Sequence, residues 1–221
     1  MLIWPRSLDA TEDSANASIA INANQYAGWA CLLDEMHQLR ARVFAGRPGW
    51  QARIEQGREQ DEFDALNPTY ILALTDQGDV AGCARLLPTT GPTMLSQIFP
   101  QLVAGGRLRG KPTIVESSRF CVETRGEGRG GLLHEATLTM FAGLIEWSIW
   151  NGIDEIVTAT DVRFERILQR AGWPMRRLGA VEFIGDTLSV AGILPADQAS
   201  FEQVRPTGYS SDLARIPRFA A

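Results

Sequence analysis

The chain has 221 residues, 45% of them apolar, with a formal charge of −5 and a pI near 5.1. That length supports one substantial core, and a single domain spanning residues 1–221 is expected. The acidic balance gives no general attraction to nucleic acid or anionic lipid, no apolar run reaches the ~18 residues that span a bilayer, and the start MLIWPRSLDATEDS lacks signal-peptide architecture; a cytoplasmic location is expected.

Residues 1–18 are polar and read as a flexible extension or a partly ordered lead-in. A short strand is predicted over Ala17–Ile21. A helix over Tyr26–Phe44 follows, with Trp29, Leu32, Leu33, Met36, Leu39 and Val43 as its apolar stripe. Between Ala45 and Asn67 the pattern breaks into a charged, glycine-containing stretch, long enough to suggest a connection that covers a site. TYILAL and DVAGCARLLP then read as a hairpin turning at Asp76–Asp79. A short helix at Met94–Phe99 leads to PTIVESSRFCVE, a long strand. RGEGRGG precedes a helix over Leu132–Trp150, stopped by Asn151-Gly152. EIVTAT is a strand, Asp161 caps a helix running to Arg170, MRRLGAVEFIG and DTLSVAGIL are two antiparallel strands, and a short helix lies near Ala196–Val204. Strands that come in pairs as well as alternating with helices predict an α/β fold with a mixed, largely antiparallel sheet flanked by helices.

Charge inside predicted strands is the most informative feature. Period 2 puts Glu116 and Ser118 on one face of the long strand and Ser117 and Arg119 on the other. An unpaired buried charge costs several kcal/mol, so each needs a partner. Structural ion pairs and a polar substrate cavity both satisfy that requirement. Arg85 sits in the apolar strand AGCARLL, Arg40 near the end of the first helix, and Asp61 and Asp64 are spaced to share one face of a helical turn. Basic charge is almost wholly arginine, Lys111 being the single lysine, and the guanidinium fork suits carboxylates. Cys31, Cys83 and Cys121 are spaced for neither a zinc knuckle nor a CxxC pair and read as buried free thiols. His37 and His134 lie near no nucleophile motif and are too few for a zinc site, which argues against a hydrolase triad and against a metal.

Arg125, Gly128 and Gly130 in RGEGRG resemble the RxxGxG pyrophosphate loop of the N-acetyltransferase superfamily. From about Met36 to Pro195 the chain resembles the LuxI-type N-acyl-homoserine-lactone synthases. LRARVF supplies the family arginine and phenylalanine as Arg40 and Phe44. GW supplies Trp50, the acidic pair falls on Asp61 and Asp64, Arg85 matches the strand arginine, Phe99 the following phenylalanine, and ESSRF supplies Glu116 and Arg119. TATDVRFERILQRAGW resembles the later signature, with Thr158 at an acyl-tunnel position.

The resemblance implies an N-acetyltransferase-like fold and acyl transfer to S-adenosyl-L-methionine from acyl-carrier protein or acyl-coenzyme A. Both molecules are substrates, and no true cofactor or metal is implied. Glu116 is expected to act as base, directly or through water. Arg40, Asp61, Asp64, Arg85 and Arg119 are expected to bind the sulfonium amino acid. Phe44, Trp50 and Phe120 join Arg119 in enclosing it. Phe99, Met140, Leu144 and Thr158 line the acyl chain, while Arg163, Arg166 and Arg170 form a basic face for the acidic carrier protein. On that reading Arg40→Ala and Glu116→Gln abolish synthesis and leave folding intact. A different acyl-coenzyme A N-acyltransferase would explain the glycine loop and sheet, and a non-enzymatic acyl-binding module an apolar cavity. Neither gives Arg40, Trp50, Asp61 and Asp64 a shared task.

Overall fold

The computed structural model describes residues 17–45, 52–123 and 130–213, with side chains from residue 135 onward in the last stretch. The chain begins with β1 (Ala17–Ile21), a 3-10 segment (Ala23–Trp29) and α1 (Ala30–Phe44). A small hairpin, β2 (Ile54–Glu55) and β3 (Arg58–Glu59), and a 3-10 turn (Glu62–Leu66) lead into β4 (Thr69–Leu74) and β5 (Val80–Pro88). Next come α2 (Met94–Gln97), β6 (Ile114–Val122), α3 (Gly130–Trp150), β7 (Glu155–Asp161) and α4 (Val162–Arg170). The described chain closes with β8 (Arg176–Arg177), β9 (Glu182–Ile184), β10 (Thr187–Pro195), α5 (Gln198–Val204) and β11 (Ser210–Asp212).

Nine strands form one sheet in the order β11-β1-β4-β5-β6-β7-β10-β8, with β9 also on β10. Only β1–β11 and β6–β7 are parallel. The largely antiparallel, mixed sheet read from strand order is therefore present. Its central strands are buried on both faces, and β4 is accordingly almost wholly apolar. In β4, Tyr70 and Leu72 pack with Leu33, Met36 and Leu39 of α1, while Ile71 and Ala73 pack with Met140, Phe141 and Leu144 of α3. Gly143 lets α3 come down onto β1, since a Cβ there would lie 2.7 Å from the Ser18 hydroxyl. Among the described residues no helix is long and apolar enough to cross a membrane.

Three local expectations are corrected. The first helix starts at Ala30, because Asn22 and Gln25 cap a separate 3-10 segment and Gly28 is a poor helix former; Trp29 is consequently exposed. MRRLGAVEFIG is two short strands. Its middle is tied elsewhere: the Leu178 carbonyl accepts from Ala104 N at 2.9 Å, and Gly179 abuts the Leu102 backbone. Cys31 is exposed, whereas Cys83 and Cys121 are buried free thiols facing one another across β5 and β6 with sulfurs 3.4 Å apart.

Two irregularities position the site. β6 and β7 pair only from Ile114 to Glu116, and beyond that point they diverge, leaving the β7-facing edge of residues 117–122 without strand partners. On the other side of β6, Arg119 and Phe120 stand opposite the single residue Ala84 of β5, a β-bulge in which Arg119 has φ +54°.

Candidate active site

The bulge corrects the expected alternation along β6. One extra residue resets the period, so Arg119 joins Glu116 and Ser118 on the α1/α2 face, while Phe120 turns toward α3. There Arg119 completes a ring of six charges, of which Arg40, Glu59, Arg85 and Arg119 are buried and Asp61 and Asp64 partly so. Glu59 accepts from Arg40 Nε at 2.6 Å and from Arg119 Nε at 3.0 Å. Asp61 bridges Arg119 Nη2 at 2.7 Å and Arg85 Nη1 at 2.5 Å. Asp64 closes the circle, accepting from Arg85 Nη1 at 2.9 Å and from both Arg40 Nη atoms at 2.8 and 2.9 Å. Every acid touches two arginines and every arginine two acids.

Such a ring is formally neutral. Arg40, Glu59 and Arg85 have no exposed side-chain surface, so mutual pairing is what makes their burial tolerable. Burial alone would lower the Arg40 pKa, but the Asp64 and Glu59 carboxylates reverse this and hold it above its ordinary value. Burial likewise opposes ionisation of Asp64, yet Arg40 and Arg85 hold it well below the usual carboxylate range. Tyr70 donates its hydroxyl to Asp64 at 2.7 Å; burial, and then the Asp64 charge, push its own pKa up. The Arg85 and Arg119 guanidiniums lie 5.5 Å from the ring centres of Phe63 and Phe44.

Sequence reasoning missed Glu59. The residue lies two positions before Asp61 in REQDEFD, and the 59/61 alternation was the available signal, but an acid in an apparent loop looks solvated. Glu116, by contrast, is outside the ring. Its two carboxylate oxygens accept from Met94 N at 3.0 Å and Leu95 N at 2.6 Å, the first amides of α2. Burial raises its pKa against the pull of these donors.

A small cleft, with about 230 Å³ of empty space that includes open solvent, lies where β6 and β7 part. Met94, Phe99, Glu116, Ser117, Ser118, Arg119 and Ala159 line it. Of the expected residues, Arg40, Asp61, Asp64, Arg85 and Arg119 are thus brought together, with Phe44 beside them and Glu116 and Phe99 at the cleft. Trp50, Arg125 and Gly128 lie outside the described residues. Phe120 does not join the ring: its side chain packs on Phe141 and Phe164 at centroid distances of 5.5 and 4.8 Å. Met140 and Leu144 are buried on that same α3 side, and Thr158 is half-buried on β7, paired with Gly192. Arg163, Arg166 and Arg170 are exposed on α4.

The splayed mixed sheet is that of the N-acetyltransferase fold. The sequence profile of the autoinducer synthases matches residues 24–204. The acyl-homoserine-lactone synthase of Agrobacterium fabrum is 56% identical over 202 residues, covering 90% of this chain and 94% of that protein. The crystal structure of the synthase LasI superposes with a TM-score of 0.72 at 38% identity, covering 79% of this chain and 88% of LasI. The coenzyme A-dependent synthase BjaI, solved with S-adenosylmethionine and isopentyl-coenzyme A, gives 0.78 at 26% identity, with 90% and 94% covered. The chain belongs to the autoinducer synthase family.

Proposed function

We propose that the ionic ring, Glu116 and the open edge of β6 carry out acyl-homoserine-lactone synthesis. The enzyme transfers an acyl group from a thioester to the α-amine of S-adenosyl-L-methionine and lactonises the product with release of methylthioadenosine, making a quorum-sensing signal. The observation that carries the site assignment is the closed ring of charges, drawn from four separate segments, beside a strand edge that has no strand partner beyond Glu116.

Glu116 takes a proton from the substrate ammonium, directly or through one water, so that the nitrogen lone pair attacks the thioester carbonyl. Backbone N–H groups along residues 117–120 stabilise the tetrahedral oxyanion, the C–S bond breaks, and the thiolate leaves with a proton. The methionine carboxylate then displaces the sulfonium from the γ-carbon, forming the C–O bond of the lactone as methylthioadenosine departs. Because the ring is already neutral, the substrate is held at its rim. Arg119, which lines the cleft and whose Nη1 meets the Met94 thioether at 3.5 Å, acts as donor to the carboxylate. Phe44, beside Arg119, excludes water. The acyl chain passes through the gap between β6 and β7, by Phe99, toward Met140, Leu144 and Thr158 on the α3 side.

Incubation with S-adenosyl-L-methionine and an acyl thioester is expected to yield lactone and methylthioadenosine in equal amounts by mass spectrometry. Acylated amine without methylthioadenosine would identify a simple N-acyltransferase, and no product with tight acyl binding a binding module. Thr158→Val is expected to reduce the share of 3-oxo or 3-hydroxy products relative to unsubstituted ones by about fivefold, the worth of one hydrogen bond; an unchanged product ratio removes that role.

Arg163, Arg166 and Arg170 support acyl-carrier protein as a donor, through an exposed basic face on α4. Reversing all three charges is expected to raise KM for the carrier-bound donor at least tenfold while leaving that for acyl-coenzyme A within about twofold. Equal effects on both donors would dismiss docking there. Substrates of this kind place the enzyme in the cytoplasm.

A further inference from the structure

Asp34, His37 and Arg40 recur every three residues on one face of α1, and each grips the β2–β3 hairpin. The Asp34 carboxylate accepts from Arg58 Nη2 at 2.8 Å, His37 Nδ1 lies 3.0 Å from the Glu59 carbonyl oxygen, and Arg40 holds the Glu59 carboxylate. The hairpin needs these grips. It has two residues per strand, Ile54 and Glu55 are exposed, and it turns tightly at Gln56-Gly57, both with positive φ. A carbonyl oxygen only accepts, so the His37 ring carries its proton on Nδ1. Burial, and then the neighbouring Arg40 charge, lower the imidazole pKa and favour that neutral form. The ring also stands edge-on to Tyr70, centroids 6.2 Å apart, and Tyr70 itself donates to Asp64.

We propose that His37 is a positioning residue for synthesis: its Nδ1–H pins the Glu59 carbonyl, which sets the Glu59 carboxylate between Arg40 and Arg119 and so fixes Arg119 for the substrate. Strand β3 runs directly into the acidic segment 59–64, so freedom at the Glu59 backbone is passed to three of the ring's six charges, Glu59, Asp61 and Asp64. The reach to Arg119 rests on reading the ring as the sulfonium-substrate site; the pinning of the hairpin does not.

The test pairs His37→Leu, which removes the donor, with His37→Asn, whose Nδ2 falls near the position of the imidazole Nδ1. The leucine variant is expected to raise KM for S-adenosyl-L-methionine about tenfold with kcat changed less than threefold, and the asparagine variant to return KM to within about threefold of wild type. Amide hydrogen exchange over residues 52–60 of the ligand-free proteins is expected to quicken at least tenfold in His37→Leu and to stay near the wild-type rate in His37→Asn. Equal impairment of the two variants, or a leucine variant indistinguishable from wild type in exchange, overturns the proposal. Faster exchange in His37→Leu with an unaltered KM overturns the link to Arg119 and leaves the pinning standing. Nitrogen NMR of histidine-labelled wild-type protein reads the tautomer without any substitution; a proton on Nε2 in place of Nδ1 would defeat the claim outright.

Discussion

Arg40→Ala is expected to abolish synthesis and to lower folding stability by about 3–5 kcal/mol, the cost of breaking a buried ion pair from one side. From the sequence alone the fold is expected to be retained. The ring says otherwise: alanine would strand Glu59 and Asp64, one fully buried and the other nearly so, each with a single remaining arginine. Denaturant unfolding monitored alongside product formation separates the two effects. Adding Asp64→Asn to Arg40→Ala leaves two arginines against two acids, which removes the uncompensated charge, and is expected to recover much of the stability and none of the activity. Recovery of both would make the ring dispensable for chemistry.

The ring also sets a pH signature. Asp64 has a folded pKa below its unfolded value near 3.8, so its contribution is complete above that value and disappears as pH falls through the folded one. In Arg40→Ala that acid dependence is expected to shrink, because the guanidinium that lowers the Asp64 pKa most is gone.

Glu116→Gln is expected to reduce kcat by about 10²–10⁴, the usual contribution of a positioned general base, with the fold intact. The difference from Arg40 is that the hydrogen-bond partners of Glu116 are uncharged, the two α2 amides and the Thr93 side chain, so its neutralisation strands no ion-paired arginine. Glutamine keeps one oxygen as acceptor, while its NH₂ meets the other α2 amide. Losing that bond costs about 1 kcal/mol, offset by the relief of burying no charge. Since burial raises the Glu116 pKa, the acid limb of kcat/KM in the wild type should lie above the ordinary glutamate value of 4.5, with rate rising as the carboxylate ionises. The limb should vanish in the glutamine variant. Should kcat fall less than threefold with the pH profile preserved, Glu116 is a helix cap for α2 and another group removes the proton.

Much of this molecule is legible one-dimensionally because the signals are local. Apolar runs on either side of the turn at Asp76–Asp79 mark β4 and β5, Asn151-Gly152 stops α3, Asp161 caps α4 through Arg163 N and Phe164 N, and Arg40, Asp61, Asp64, Arg85, Glu116 and Arg119 stand out as charges in apolar or patterned surroundings. What such signals determine by themselves is most of the longer elements and the demand that each buried charge find a partner; the short β2–β3 hairpin and β11 are not among them. They do not name the partner. Tertiary structure alone decided that Glu59 completes the ring, that a bulge swings Arg119 onto the face of Glu116, that Glu116 answers to two backbone amides, and that β6 and β7 part after three residue pairs. The physical reason is range. A turn or a cap is settled within a few residues, whereas a buried ion is stable only against groups 19 to 60 positions away, and the register of whole strands dictates which of those arrive.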